Sequence, residues 1–296
     1  MFKPAFSTVA CPHWTLAALA EKVESFGFLG MEMRTFGNGS RDFACDPALT
    51  APAKVRGLFR PAGLELCSLA TDVRFDQAVT PPVIGRVISD TERSVRQAKS
   101  AIDLAVELEC LFVRVFGFEL PEGERRKNGV ARIVERLTKA ADHCRNAGVT
   151  LVLENGGSFS KAADLAEILD AVDSPLLRAA YAPAVAALAG ESPAAGINVL
   201  GERLAMVKLK DMRGTTPVAL GEGDLRCRET CEALHNAGFA GWVVYEFDHA
   251  WLGGGHADVS DVLARSARTL FSWRGGEAPL SRRPPTKRIV SHGNAG

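Results

Sequence analysis

Residues 130–154 read VARIVERLTKAADHCRNAGVTLVLE, and two periods meet inside them. Val130, Ile133, Val134, Leu137, Ala141 and Cys144 recur at three-and-four spacing, which puts them on one stripe of a helix. Gly148 marks the stop after that helix. The run 149–154 then starts at once, short and apolar, as a strand buried on both faces should be. One helix followed directly by one buried strand is the repeating unit of an α/β fold.

The same unit recurs outward in both directions. Strands are expected at 5–9, 29–34, 64–69, 111–115, 149–154, 176–181, 205–210 and 242–247, with helical patterns between them. Ser89 and Glu92 form a capping box ahead of Val95, Ala98, Ile102 and Ala105. Val259, Val262, Leu263, Leu270 and Phe271 give a last helix that closes the ring. Eight alternations in one chain predict a single-domain (β/α)8 TIM barrel over 1–273. The competing fold is a doubly wound open sheet, whose first strand–helix turn carries a glycine-rich phosphate loop. Here that turn is Ser7-Thr8-Val9-Ala10-Cys11-Pro12-His13-Trp14, which has no glycine. Residues 274–296 mix Gly, Pro and Arg/Lys and are expected to be a flexible basic tail.

Composition narrows the function classes. Hydrophobic residues make up 47% of the 296 and charged residues 24%, which is enough to bury a large core. Lys+Arg and Asp+Glu are both 35, so no global field draws in nucleic acid or an anionic membrane. No leader pattern opens the chain, no apolar run spans a bilayer, and the seven scattered cysteines suit reduced thiols. A cytoplasmic protein is expected. Cys227 and Cys231 lie four apart on an expected helix and read as two half-buried helix residues rather than a metal or redox pair.

Barrel enzymes carry their reacting groups at the C-terminal strand ends. Charges gather there: Glu32 and Arg34, Arg114, Glu154, Lys208, Lys210 with Asp211, and Glu246. Strands five and eight each end an apolar run on a glutamate. Two carboxylates facing across a mouth can move a proton or hold a cation. His13 and Trp14 after the first strand, Arg34, Arg114, Asn155, Lys210 and Asp211 are expected substrate contacts. Rim salt bridges to Glu32 and Asp211 are the alternative for the arginines. His249 and Trp251 are expected in a loop over the pocket, and Gly253-Gly254-Gly255 would let that loop move.

The order of short motifs resembles the xylose-isomerase-like sugar phosphate isomerase/epimerase superfamily. The stretches are Phe6-Ser7-Thr8 through Thr15-Leu16, Phe26 through Arg34, Arg114-Val115-Phe116-Gly117, Leu153-Glu154-Asn155, Val207 through Asp211, Leu220 through Gly223, and Gly241 through Glu246. The resemblance covers about residues 4–272. It implies a barrel enzyme that moves a proton beside a carbonyl of a keto-sugar or polyol, as an isomerase, an epimerase or a dehydratase/lyase. The expected partner is that small molecule; neither nucleic acid nor membrane is expected, and a homo-oligomer is compatible.

The family holds one divalent metal through Glu, Asp, His and Glu at the ends of strands five to eight. Glu154 and Glu246 match the glutamates, while Ala182 stands at the aspartate and Lys208 at the histidine. An alanine has no ligand atom, and a protonated lysine has no lone pair. Two carboxylates alone make a poor cage for Mn²⁺ or Mg²⁺, so no cofactor is firmly expected, although substrate and water could complete a shell in which Glu154 and Glu246 are the metal ligands. Glu154, Glu246 and Lys208 sum to the same charge, −1, as the family's three carboxylates and one M²⁺. The expectation is that the Lys208 ammonium takes the metal's electrostatic place and that Glu154 and Glu246 are catalytic with it. With a depressed pKa, Lys208 would instead be a base or form a Schiff base. A catalytically inactive sugar-binding barrel would show the same ligand losses. The superfamily's abasic-site endonucleases need many strand-end histidines. The chain has six in all, and His143, His235 and His292 fall on expected helices or the tail.

Overall fold

The computed structural model describes residues 1–37, 42–78, 92–252 and 257–274. Eight parallel strands close a barrel in which each strand pairs with its neighbours in the chain and the last pairs with the first. They are β1 (Lys3–Ser7), β2 (Gly30–Arg34), β3 (Glu65–Arg74), β4 (Phe112–Phe116), β5 (Thr150–Glu154), β6 (Leu177–Tyr181), β7 (Leu204–Leu209) and β10 (Trp242–Tyr245). A short antiparallel pair, β8 (Asp211–Arg213) and β9 (Thr216–Val218), folds over the end of β7. Helices cover the outside, including α1 (Leu16–Phe26), α2 (Pro52–Phe59), α3 (Arg93–Glu107) and α4 (Arg126–His143). After them come α5 (Ala162–Val172), α6 (Pro183–Leu188), α7 (Pro193–Leu200), α8 (Cys227–Asn236), α9 (His249–Leu252) and α10 (Val259–Trp273).

The eight expected strands are all present, with shifted ends. β1 lies two residues early: Ser7, its last residue and the register partner of Glu32, caps a 3-10 turn that ends the strand, its Oγ accepting from Val9 N. β3 runs on to Arg74 because Ala70 and Arg74 find partners on β4 across a bulge. Helix α4 stops at His143, four residues before the last of the turn; Asn146 and Gly148 at positive φ then swing the chain into β5. Ser89 of the expected capping box lies outside the described residues, and Glu92 stands at the N-cap of α3 without a side-chain cap bond. The expected tail and Gly253-Gly254-Gly255 also lie outside them. Arg274 belongs with the barrel, its guanidinium donating to Phe2 O at 2.8 Å.

Two apolar layers hold the fold. The larger lies between strands and helices. The smaller fills the barrel interior with Ala5, Cys67, Phe112, Val152, Ala180, Met206 and Val244. Side chains on a strand alternate faces. Two residues beyond each interior residue, the chain therefore points inward again, nearer the C-terminal mouth. Phe112 leads to Arg114, Val152 to Glu154, Ala180 to Ala182, Met206 to Lys208 and Val244 to Glu246. The interior changes from oil to charge in one step of the pleat. All seven cysteines are free and buried, Cys227 and Cys231 on α8 among them. Burial pushes the Cys231 thiol up to about 12, so neither is a reactive thiolate. Among the described residues no helix is long and apolar enough to cross a membrane.

Candidate active site

Lys208 stands at the centre of the charged layer. Its side chain has no exposed surface, and its Nζ forms ion pairs with Glu32 Oε1 and with Glu246 Oε1, the latter at 2.9 Å. Burial opposes the ammonium, but Glu246, Glu32 and Glu154 together outweigh it and raise the pKa above that of an ordinary lysine. The three carboxylates favour the expected ammonium over the alternative of a depressed pKa with Lys208 as base or Schiff-base amine.

The two family glutamates have different surroundings. Glu246 follows β10, and its N–H donates to Leu209 O at 2.7 Å, which keeps it on the barrel rim. Burial favours its neutral form, yet Lys208, Lys210 and Arg114 hold its pKa down at about 2. Glu154 ends β5 with Arg114 Nε 3.3 Å from its Oε2. The pair is not aligned for a hydrogen bond, and both atoms are buried without a hydrogen-bond partner among the described residues. Burial dominates at Glu154, helped by the charges of Glu246 and Glu32, so its pKa is raised in spite of Arg114 and Lys208. Two carboxylates with pKa values pushed apart divide into a permanent anion and a proton carrier.

Two more cations face the mouth. Lys210 Nζ is 2.8 Å from Asp248 Oδ2 and 3.9 Å from Glu246 Oε2, and these acids raise its pKa against burial. Arg34 ends β2. Its guanidinium lies 5.1 Å from the Phe36 ring and 4.9 Å from the Trp251 ring, with Phe43 stacked between those two rings. Burial and Arg114 lower its pKa, while Glu246, Glu32 and Glu154 pull the other way. Arg34, Arg114, Lys208 and Lys210 thus oppose Glu32, Glu154, Glu246 and Asp248. The surface open to solvent belongs to Arg34, which is half-buried, and to Lys210, Asp248, Glu246 and Glu154, whose side chains are 27%, 14%, 12% and 10% exposed.

Three expected contacts, Asn155, Asp211 and Trp14, are occupied elsewhere. Asn155 is consumed by backbone: Nδ2 donates to Ser160 O at 2.8 Å and to Ala182 O at 3.1 Å, and Oδ1 accepts from Ala182 N at 2.6 Å. Asp211 is buried, and its carboxylate accepts from the N–H groups of Met212, Gly221, Gly223 and Leu225 at 2.8–3.2 Å. A Cβ on Gly223 would collide with that carboxylate, which is why glycine stands there. Trp14 packs half-buried on the core under the Lys22 ammonium of α1, and His13 is exposed. His249 stacks on Phe247 with its Nε2 3.2 Å from Ala10 O. Glu32 and Asp248 were not expected in the site. Glu32 is one of the charged strand ends, and a glutamate inside a buried strand two residues before Arg34 is the sequence signal for its place here.

The donor chemistry for a metal is thin. Ala182 supplies only backbone, and its N–H is taken by Asn155. An ammonium occupies the space between Glu32 and Glu246. Among the described residues no group of three or more His, Cys, Asp or Glu side chains is arranged to hold a metal ion.

Comparison with known proteins places this geometry in a family. No curated protein matches the chain. Among solved structures, L-ribulose 3-epimerase is 15% identical, with a TM-score of 0.77 over 93% of this chain and 95% of that one. D-allulose 3-epimerase from Methylomonas sp. is 15% identical, with a TM-score of 0.73 over 92% and 98%. A probable 3-DHS dehydratase involved in petrobactin synthesis, from Bacillus anthracis, is 15% identical, with a TM-score of 0.70 over 90% and 97%. These likenesses establish the shared fold. A family model for the xylose isomerase-like TIM barrel matches residues 20–270, and the chain belongs to that family.

Proposed function

We propose that the chain is an enzyme that moves a proton at the carbon beside a carbonyl of a keto-sugar or polyol, and that it does so without a resident metal. The observation that carries this reading is the pair of unlike carboxylates in one mouth. Glu154 holds its proton more tightly than an ordinary glutamate, and Glu246 is locked as an anion. A base tuned upward by burial takes a carbon-bound proton more readily than one held near 2. Glu154 is thus assigned as the catalytic acid/base. Proton transfer leaves negative charge on the neighbouring carbonyl oxygen, which the cations of the mouth stabilise electrostatically.

Lys208 takes the place of the cation in this scheme by a route different from direct contact. With no exposed atom, it acts through its field and by orienting Glu246, and the groups within reach of a substrate oxygen are Lys210, Arg34 and Arg114. The residues present do not fit a divalent cation, because Ala182 offers no side-chain ligand and Lys208 repels one. Return of the proton from Glu154 to the neighbouring carbon gives isomerisation, its transfer to a departing β-hydroxyl gives dehydration with release of water, and epimerisation requires a second donor, water or the Lys210 ammonium, to protonate the opposite face. The dehydratase and epimerases of like fold are compatible with any of the three.

A non-catalytic sugar-binding barrel is the second reading. It is favoured by the closure of the Glu32–Lys208–Glu246 network, which leaves no exposed atom on its cation.

Deuterium exchange separates the two readings. Chelator-treated protein is incubated in D2O with a panel of ketoses, ketonic acids and inososes, and loss of the proton beside the carbonyl is followed by NMR. Exchange with at least one panel member, lowered about 100-fold or more in Glu154→Gln, is the expected result. Exchange with none, or exchange that needs added Mn²⁺, would sink the proposal.

A further inference from the structure

Arg34 is the one cation of the mouth with no carboxylate within ion-pair distance among the described residues, although its guanidinium is half-buried. The rings of Phe36 and Trp251 hold the planar group without using its hydrogen-bonding edge, and its backbone N–H is tied to Thr8 Oγ1 at 2.9 Å. The neighbouring Arg114 has an incomplete partnership: its guanidinium carbon lies 4.3 Å from the Phe116 ring, and its Nε meets Glu154 without a hydrogen bond. Two guanidinium groups close enough to repel one another are seldom kept in one half-buried cleft unless something negative is brought to them.

The charge balance says how much. Among the described groups of the mouth four cations face four carboxylates, so with Glu154 ionised they balance, and with Glu154 carrying a proton they leave one cation in excess. A single negative charge completes it. A planar carboxylate also matches the fork of an arginine held edge-on.

We infer that the substrate carries a carboxylate, that Arg34 is its recognition residue with Arg114 in support, and that the protein works on keto-sugar acids in preference to neutral ketoses. This rests on the proton-transfer reading of the site and narrows it to one substrate class. The rings of Phe36 and Trp251, stacked on either side of Phe43, pack against the guanidinium.

Matched ligands test it. D-fructuronate is D-fructose with its C6 hydroxymethyl group oxidised to a carboxylate, and D-fructose 6-phosphate places a more highly charged group at the same end. Calorimetric dissociation constants for the three are compared on the wild type, Arg34→Met and Arg34→Lys. The expected result is fructuronate bound at least tenfold tighter than fructose in the wild type, a ratio near one in R34M, and an intermediate ratio in R34K. Because each ratio is taken within one variant, a partly unfolded sample does not mimic the result. Equal affinity for the pair, no measurable binding of fructuronate, tighter binding of the phosphate, or a ratio that survives in R34M would each overturn the inference. Preference for fructuronate with no deuterium exchange would keep Arg34 as the carboxylate-recognition residue and defeat the catalytic reading. Exchange on fructose with no preference for the acid would do the reverse.

Discussion

Lys208 Nζ and Glu246 Oε1 are 2.9 Å apart, on neighbouring strands whose Val244 and Lys208 are direct register partners. The contact is set by the barrel ladder, so neither partner can leave without exposing the other to a dry interior. Lys208→Met strands two buried glutamates. Breaking such a pair from one side costs about 3–5 kcal/mol. Chemical denaturation at pH 8 should show a loss of that size, and the deficit should shrink at pH 5, where the stranded acids can take protons. A variant as stable as the wild type at pH 8 would disprove the buried network.

Glu246 links stability to acid. Its native pKa of about 2 lies below the ordinary carboxylate value of 4.5. A depressed acid stabilises the fold fully above its unfolded pKa, and that contribution fades as pH falls from about 4.5 through 2. The difference corresponds to roughly 3 kcal/mol. Glu246→Gln should be less stable than the wild type at pH 7, with a smaller further loss between pH 5 and 2. Parallel pH–stability curves for the two proteins would contradict this.

Glu154 carries the opposite sign. Its raised pKa means that the native state binds the proton more tightly than the unfolded chain does, so its contribution to stability falls as pH rises from the unfolded value through the native one. Glu154→Gln, a neutral stand-in, should match or exceed the wild-type melting temperature at pH 8 while losing proton-transfer activity. A melting temperature lowered by several degrees would mean that the Arg114 pairing outweighs burial.

Asp211→Ala removes a charged acceptor from four N–H groups at once. The four donors belong to half-buried or exposed residues, so water can replace part of the lost bonding, and a loss of about 2 kcal/mol is expected. Amide hydrogen exchange at Gly221, Gly223 and Leu225 should quicken most. Unchanged protection there would remove Asp211 from its structural role.

The barrel was legible because its period is redundant. Gly148 with 149–154, repeated in kind eight times, leaves one topology. The strand-end charges were legible for the same reason, since a buried strand that ends on Glu154 or Lys208 has few other places to put the charge. Which charge meets which was not legible. Lys208 was expected beside Glu154 and Glu246, but the ring order brings β2 within reach, and Glu32 takes that side. Asn155 and Asp211 misled because a polar residue after a strand reads alike whether it faces a ligand or ties down the next loop. Only the loop's conformation decides, and a single Gly223 in sequence does not announce that its neighbours will point their N–H groups at Asp211.

That carboxylate sits in the loop region after the seventh strand, a region where α/β barrels often seat the phosphate of their substrate. Here one buried side chain already gathers the loop's amides. The loop is stapled to the barrel from inside, so this stretch of the rim is scaffold that holds its shape whether or not a ligand is present.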